Sequence, residues 1–165
     1  MNKLVSETNE LFAIAAKVND PEIPVLSIAD LGILRDVTVT EDGAVQVVIT
    51  PTYSGCPAMD VISEDLHSTF RDAGYQKVEI KLVLTPAWST DWMSEEGKQK
   101  LEAYGIAAPT GRAHAGRITL GMSVKCPRCH SLNTRELARF ASTSCKALYT
   151  CKDCLEPFDY FKVLS

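Results

Sequence analysis

Two short cysteine pairs, Cys126-Pro127-Arg128-Cys129 and Cys151-Lys152-Asp153-Cys154, lie near the end of the chain with 21 residues between them. Two thiolates two residues apart on a tight turn reach the same ion, and two such turns complete a tetrahedron of sulfur. A module of that size cannot bury a large core, so metal–thiolate bonds must supply much of its stability. Each pair is therefore expected on a turn, with Thr134–Leu137 and Ala147–Tyr149 as strands of a small ribbon between them.

The compartment decides how the cysteines are read. The N-terminus lacks the apolar stretch and small-residue cleavage site of a signal peptide. No apolar run approaches the length needed to span a bilayer. The expected location is the reducing cytoplasm, where paired CxxC units bind metal more often than they form disulfides. A thioredoxin-type redox role needs one CxxC between a strand and a helix, and two distant copies fit that poorly. The assigned ligands are Cys126, Cys129, Cys151 and Cys154, with structural zinc first and iron in a rubredoxin-like site second. A fully coordinated ion leaves no open position for water, so the site is expected to be structural and not catalytic. Lys125, Arg128, Lys146 and Lys152 are expected to offset the charge of four thiolates. Cys145 is an accessory-ligand candidate, or else a small buried ribbon residue.

A net charge of −4 opposes nucleic-acid binding, which calls for a basic face. The pattern ahead of the cysteine module is mixed. Leu11, Ile14, Ala15 and Val18 recur at helical spacing over residues 8–18, and Asn19-Asp20-Pro21 ends that helix. Residues 33–40 read as a strand, and Asp42-Gly43 as a hairpin turn into a second strand carrying Val45, Val47 and Ile49. Pro57 opens a helix and Gly74 follows its end, with Met59, Ile62, Leu66, Phe70 and Ala73 as the buried stripe. A third strand is expected over 78–84, with Val78, Ile80, Leu82 and Leu84 on one face. Trp88 and Trp92 sit on a polar arm over 85–110 that includes a short helix near 95–104. They are expected either to pack on the first domain or to form an interface between copies in a homo-oligomer.

The fold class is thus α+β: a small α/β domain of helix, hairpin, helix and strand with its Trp-bearing arm (residues 1–110), a linker (111–117) and a four-cysteine ribbon (118–165). Cys56 falls at the start of the second helix, where the helix dipole and free backbone N–H groups favour a thiolate. Gly55 permits a sharp turn beside it. The competing reading is a buried cysteine that only packs. Asp20, Glu22 and Asp30 are candidates to approach Cys56, each also readable as a turn or cap residue. His67, His114 and His130 carry no specific signal. No Ser-His-Asp order, phosphate loop or HExxH motif is present, and no histidine base shares the Cys56 loop, so no catalytic residue is assigned.

Three segments, Asp20-Pro21-Glu22-Ile23-Pro24, Asp30-Leu31-Gly32 and Thr52-Tyr53-Ser54-Gly55-Cys56-Pro57, resemble the hallmarks of the metal–sulfur cluster biosynthesis family. The arm Pro86-Ala87-Trp88-Ser89-Thr90-Asp91-Trp92-Met93 and the cysteine tail resemble its branch associated with phenylacetyl-CoA epoxidase in aerobic phenylacetate catabolism. The resemblance implies a non-catalytic maturation factor for that multicomponent enzyme, or alternatively an integral structural subunit of the oxygenase complex. It implies the oxygenase and reductase subunits as partners, and a transient iron–sulfur cluster or iron as cargo. Carried over by position, Cys56 is the cluster or metal contact, with Asp20, Asp30 and Thr52 lining its loop.

Overall fold

The computed structural model describes residues 2–110 and 123–164. The expected linker, His114 and the first residues of the expected ribbon lie outside them. The chain divides into two units, Met1–Trp88 and Ser89–Ser165.

In the first unit, α1 (Asn2–Ala15) precedes the antiparallel strands β1 (Leu34–Val39) and β2 (Val45–Ile49). Helix α2 (Ala58–Asp72) then leads to β3 (Val78–Leu82), which pairs with β2 in parallel, so the sheet order is β1-β2-β3. The helical spacing ending at Val18 is real, but regular α-helix stops at Ala15. The chain then tightens through Lys17 N–H to Ile14 O and Val18 N–H to Ala15 O, the three-residue bonds of a closing helix turn. The hairpin forms at Gly43, with φ 79°, and Thr40 N–H donates to Ala44 O at 2.8 Å. A bulge between Leu34 and Asp36 breaks the two-residue period, so Leu34 and Val37 are both buried.

The core is built from the alternating face of β2 and the stripe of α2. Val45, Val47, Ile49, Ile62, Leu66 and Phe70 are each at most 1% exposed. Ala73 departs from the expected stripe, because the helix ends there and it faces solvent. The expected buried face of the third strand also fades. Val78 and Ile80 are half-buried, while Leu82 and Leu84 are 51% and 54% exposed, because β3 is an edge strand. Phe70 meets Tyr75 edge to face at 5.9 Å. Phe70→Ala is expected to cost this unit about 3–5 kcal/mol, read as a lowered denaturant midpoint, with metal retention by the second unit unchanged.

Trp88 closes the first unit as a buried residue, its indole N–H donating to Leu31 O at 2.9 Å. Of the two roles expected for it, the geometry is the packing one.

The second unit starts earlier than the expected boundary at residue 110. Helix α3 (Glu95–Tyr104) falls where the sequence places it, capped by Ser94 Oγ accepting from Gly97 N–H at 2.9 Å and closed by Gly105 at φ 91°. Strand β4 (Ile106–Ala107) then pairs in parallel with β7 (Pro157–Phe161). The sheet order is β4-β7-β6-β5, with β5 (Thr134–Ala138) and β6 (Lys146–Cys151) forming the expected ribbon strands. The ribbon core gathers Ala107, Val124, Ala147, Phe158 and Tyr160 around two cysteines, Cys126 and Cys151. Among the described residues no helix is long and apolar enough to cross a membrane.

Candidate metal centre and the Cys56 loop

Each cysteine pair sits on a turn whose backbone folds back on itself. Cys126 N–H donates to Ser131 O, and Cys151 N–H donates to Glu156 O, both at 2.9 Å. The residue after the second cysteine takes a left-handed conformation in both turns, His130 at φ 62° and Leu155 at φ 63°. The two turns are thus copies of one knuckle geometry. In each, backbone N–H groups point at the sulfurs.

All four sulfurs lie within 4.8 Å of one another. Between knuckles, Cys129 Sγ is 3.5 Å from Cys151 Sγ, and Cys126 Sγ is 3.8 Å from Cys154 Sγ. A disulfide would bring sulfurs to about 2.05 Å. A tetrahedron with metal–sulfur bonds of about 2.3 Å has edges of about 3.8 Å. The arrangement therefore fits a tetrahedral ion, and all six cysteines are free thiols. Cys126 and Cys151 are fully buried, whereas Cys129 faces solvent and Cys154 is intermediate.

The electrostatics also favour a shared cation. The backbone N–H of Cys154, with that of Asp153, brings the Cys151 thiol down to about 7 against the pull of desolvation. The N–H of Ser131 acts on Cys129 in the same direction. There desolvation and the other three sulfurs outweigh it and hold the thiol up at about 12. Such a set cannot carry four thiolates by itself, but it can around a divalent ion.

Three of the four cations expected to offset that charge are engaged elsewhere. Arg128 pairs with Glu156 at 2.6 Å, Lys125 with Glu102 at 3.7 Å, and Lys146 with Asp159 at 3.4 Å. Backbone dipoles take their place at the sulfurs. Cys145, the accessory-ligand candidate, precedes β6 while Cys151 ends it. Six residues of strand separate them by about 20 Å, so Cys145 is out of reach of the same ion. It is buried, with its Sγ 3.0 Å from Thr143 Oγ1.

Cys56 stands just ahead of α2. Pro57 already has helical angles (φ −68°, ψ −18°), and Met59 N–H donates to Cys56 O at 3.2 Å. Gly55, at φ 79°, makes the turn that brings the thiol there. Thr52 is half-buried on the same loop. Cys56 itself is 8% exposed. Burial pushes its pKa above the ordinary value. The Ala58 N–H and Tyr53 pull it down, and the carboxylates of Glu22 and Asp20 push it up again.

This corrects the expectation of a helix-stabilised thiolate: the helix terminus acts in the expected direction, but burial and two negative neighbours outweigh it. The charges of Glu22 and Asp20 are felt at Cys56, but among the described residues only the four ribbon cysteines, and no set that includes Cys56, gather their ligand atoms tightly enough to hold an ion. The Asp20 Oδ1 accepts from Glu22 N–H at 2.8 Å and Ile23 N–H at 2.9 Å, which shapes the loop between the two prolines. Asp30 is buried in a reciprocal turn with Ser27, accepting from Ser27 N–H at 3.1 Å while its own N–H donates to Ser27 Oγ at 3.0 Å. His67 is half-buried along α2 and His130 is exposed.

Because the thiolate is the reactive form, alkylation of Cys56 by iodoacetamide is expected to be slow at pH 7. It should rise roughly tenfold per pH unit up to a midpoint above that of a free cysteine peptide. Peptide mapping by mass spectrometry checks this. A rate at pH 7 equal to that of the free peptide would contradict it.

Comparisons with known proteins align with this division. Residues 10–82 match the family model for iron–sulfur cluster assembly proteins, and residues 113–162 match the model for the PaaD zinc β-ribbon domain. The chain is 44% identical to a protein of Escherichia coli (strain K12) named as one subunit of a "Putative 1,2-phenylacetyl-CoA epoxidase", over 96% of this chain and 94% of that protein. It is 38% identical to the "Fe-S protein maturation auxiliary factor" of Porphyromonas gingivalis, over 61% of this chain and 95% of that one. Among solved structures, a DUF59 domain from Bacillus anthracis superposes with a TM-score of 0.55 at 30% identity, covering 60% of this chain and 94% of that domain. An iron–sulfur-assembly-type unit joined to a metal-binding ribbon, matched nearly from end to end, places the chain in the PaaD family.

Proposed function

We propose that the protein is a non-catalytic maturation factor that helps assemble or deliver the iron or iron–sulfur centre of a multicomponent phenylacetyl-CoA epoxidase. The observation that carries this reading is the environment of Cys56. A buried thiol with two carboxylates close enough to disfavour its anion is a poor free nucleophile. The same surroundings favour a bound cation, which displaces the proton and is attracted by both carboxylates. Soft sulfur suits iron and iron–sulfur clusters, so Cys56 would contact the cargo transiently, with the negative charge of Asp20 and Glu22 felt at its sulfur, Thr52 on the Cys56 loop and Asp30 on the loop that follows Asp20.

The ribbon has a separate task. Four thiolates complete the coordination of one ion, for which zinc is the first choice, and this ion folds the second unit. The partners are the oxygenase and reductase subunits. The protein works in the cytoplasm.

The name of its Escherichia coli relative as an epoxidase subunit supports a second reading, in which the protein stays in the oxygenase complex as a structural component. The test is to produce the epoxidase components with and without this chain and measure the iron and sulfide of the purified enzyme. A maturation factor leaves a metal-replete enzyme from which it is itself absent on size exclusion. A structural subunit co-elutes at fixed stoichiometry. Full metal content in its absence would sink the maturation reading.

A further inference from the structure

The tetrahedron depends on distances between knuckles, and the polar side chains of one cluster span that gap. Asp153 lies between the two cysteines of the second knuckle. Its Oδ1 accepts from Asn133 Nδ2 at 2.8 Å and its Oδ2 accepts from the Ser131 hydroxyl. Ser131 and Asn133 closely follow the first knuckle, and Ser131 Oγ also accepts from Asn133 N–H at 3.0 Å. The backbone adds one further tie, Lys152 N–H to Asn133 O at 2.8 Å. One carboxylate thus holds both side chains of the opposite loop.

Its charge sign makes the placement informative. A carboxylate between two ligand cysteines adds negative charge beside an ion that four thiolates already over-neutralise. Electrostatics alone would disfavour it there. What it supplies is geometry: two charge-assisted hydrogen bonds across the gap that the sulfurs must also bridge. The gap matters most on this side, because Cys129 is the exposed ligand and the one open to a competing thiol or chelator.

We infer that Asp153 is a positioning residue which, through Ser131 and Asn133, latches the two knuckles together and governs how fast the ribbon releases its metal ion. The inference rests on the ribbon holding a metal, as proposed above. The latch is not needed for the ribbon to fold, since the strand pairing and the buried pair Cys126 and Cys151 do not pass through it.

The experiment uses the full chain loaded with zinc, challenged at neutral pH with excess chelator and a zinc-responsive dye. Asp153→Ala is expected to release zinc about tenfold faster, with unchanged stoichiometry at saturating zinc and an unchanged circular dichroism spectrum. Asp153→Asn retains one acceptor oxygen and should fall between the two. Combining Ser131→Ala with Asp153→Ala should add little, because both remove the same contact. Cobalt-loaded Asp153→Ala should show shifted ligand-field bands, a signature that loosening elsewhere does not produce. Lys98→Ala breaks an exposed ion pair within α3, away from both knuckles, and serves as the control, expected to leave release unchanged. If Asp153→Ala fails to fold, Ser131→Ala and Asp153→Asn carry the test. Wild-type release rates and cobalt spectra in the latch variants, or equal acceleration in Lys98→Ala, would overturn the latch while leaving the metal site intact. Failure of the wild-type chain to bind one ion would instead overturn the metal reading itself.

Discussion

A chain carrying Cys151→Ser is expected to lose its metal and its ribbon together. Cys151 is fully buried and belongs to the ribbon core as well as to the ligand set. Serine offers a hydroxyl that does not ionise near neutral pH, so three thiolates remain and the buried corner of the tetrahedron is left empty. The ribbon core is small, so the ion's contribution to folding has no apolar substitute. Metal content should fall from about one ion per chain to below about a tenth, with loss of the ribbon's near-ultraviolet signal from stacked Tyr149 and Phe158. The first unit has its own core and should keep its own unfolding transition.

Cys129→Ser is the instructive contrast. Its sulfur faces solvent, so water can complete the coordination. The expected result is weakened but measurable binding with the ribbon still folded. Elemental analysis of both variants after dialysis decides the matter. Full metal retention by Cys151→Ser would refute the four-thiolate assignment, and equal losses from both would refute the division into buried and exposed ligands.

That ligand set is legible in the sequence because its geometry is local: two residues between cysteines define a knuckle whatever the rest of the chain does. The first unit is legible for a similar reason. Val45, Val47 and Ile49 alternate on a central strand, and Ile62, Leu66 and Phe70 recur on a helix face, so burial follows period. What the sequence conceals depends on long-range pairing. Nothing local in Ile106-Ala107 announces a parallel partner at Asp159-Tyr160, more than 50 residues on, so the arm beyond Trp88 reads as part of the first domain although it belongs to the second unit. The face of β3 fails because alternation reports the sheet's two sides, not whether a helix covers the edge. At Cys56 the helix-terminus effect is readable, but the larger opposing effects, burial and the approach of Asp20 and Glu22, exist only in the fold. The Asp153 latch is hidden too. Its signal is present in the paired polar residues after the first knuckle, Ser131 and Asn133, but such common turn residues mean nothing until their partner is seen.

Cys56→Ser is expected to leave the protein folded and useless to its partner. The substitution removes little volume, and a serine hydroxyl can take over the hydrogen bonds that the thiol shares with the Ala58 N–H and Tyr53. Stability should therefore change by no more than about 1 kcal/mol. The chemistry changes far more. A buried thiol can lose its proton to an incoming iron ion and become a soft anionic ligand, whereas an alcohol in the same place keeps its proton and presents a hard, neutral oxygen. Co-production of the epoxidase components with Cys56→Ser should give an enzyme with at least about tenfold less activity and correspondingly less iron, while the variant's ribbon retains its full complement of metal. That last measurement separates the two sulfur sites: a maturation defect with a loaded ribbon locates the transfer step at Cys56. A fully active, iron-replete epoxidase made beside Cys56→Ser would leave the buried thiol as packing alone, and the carboxylates around it as no more than the caps of their own loop.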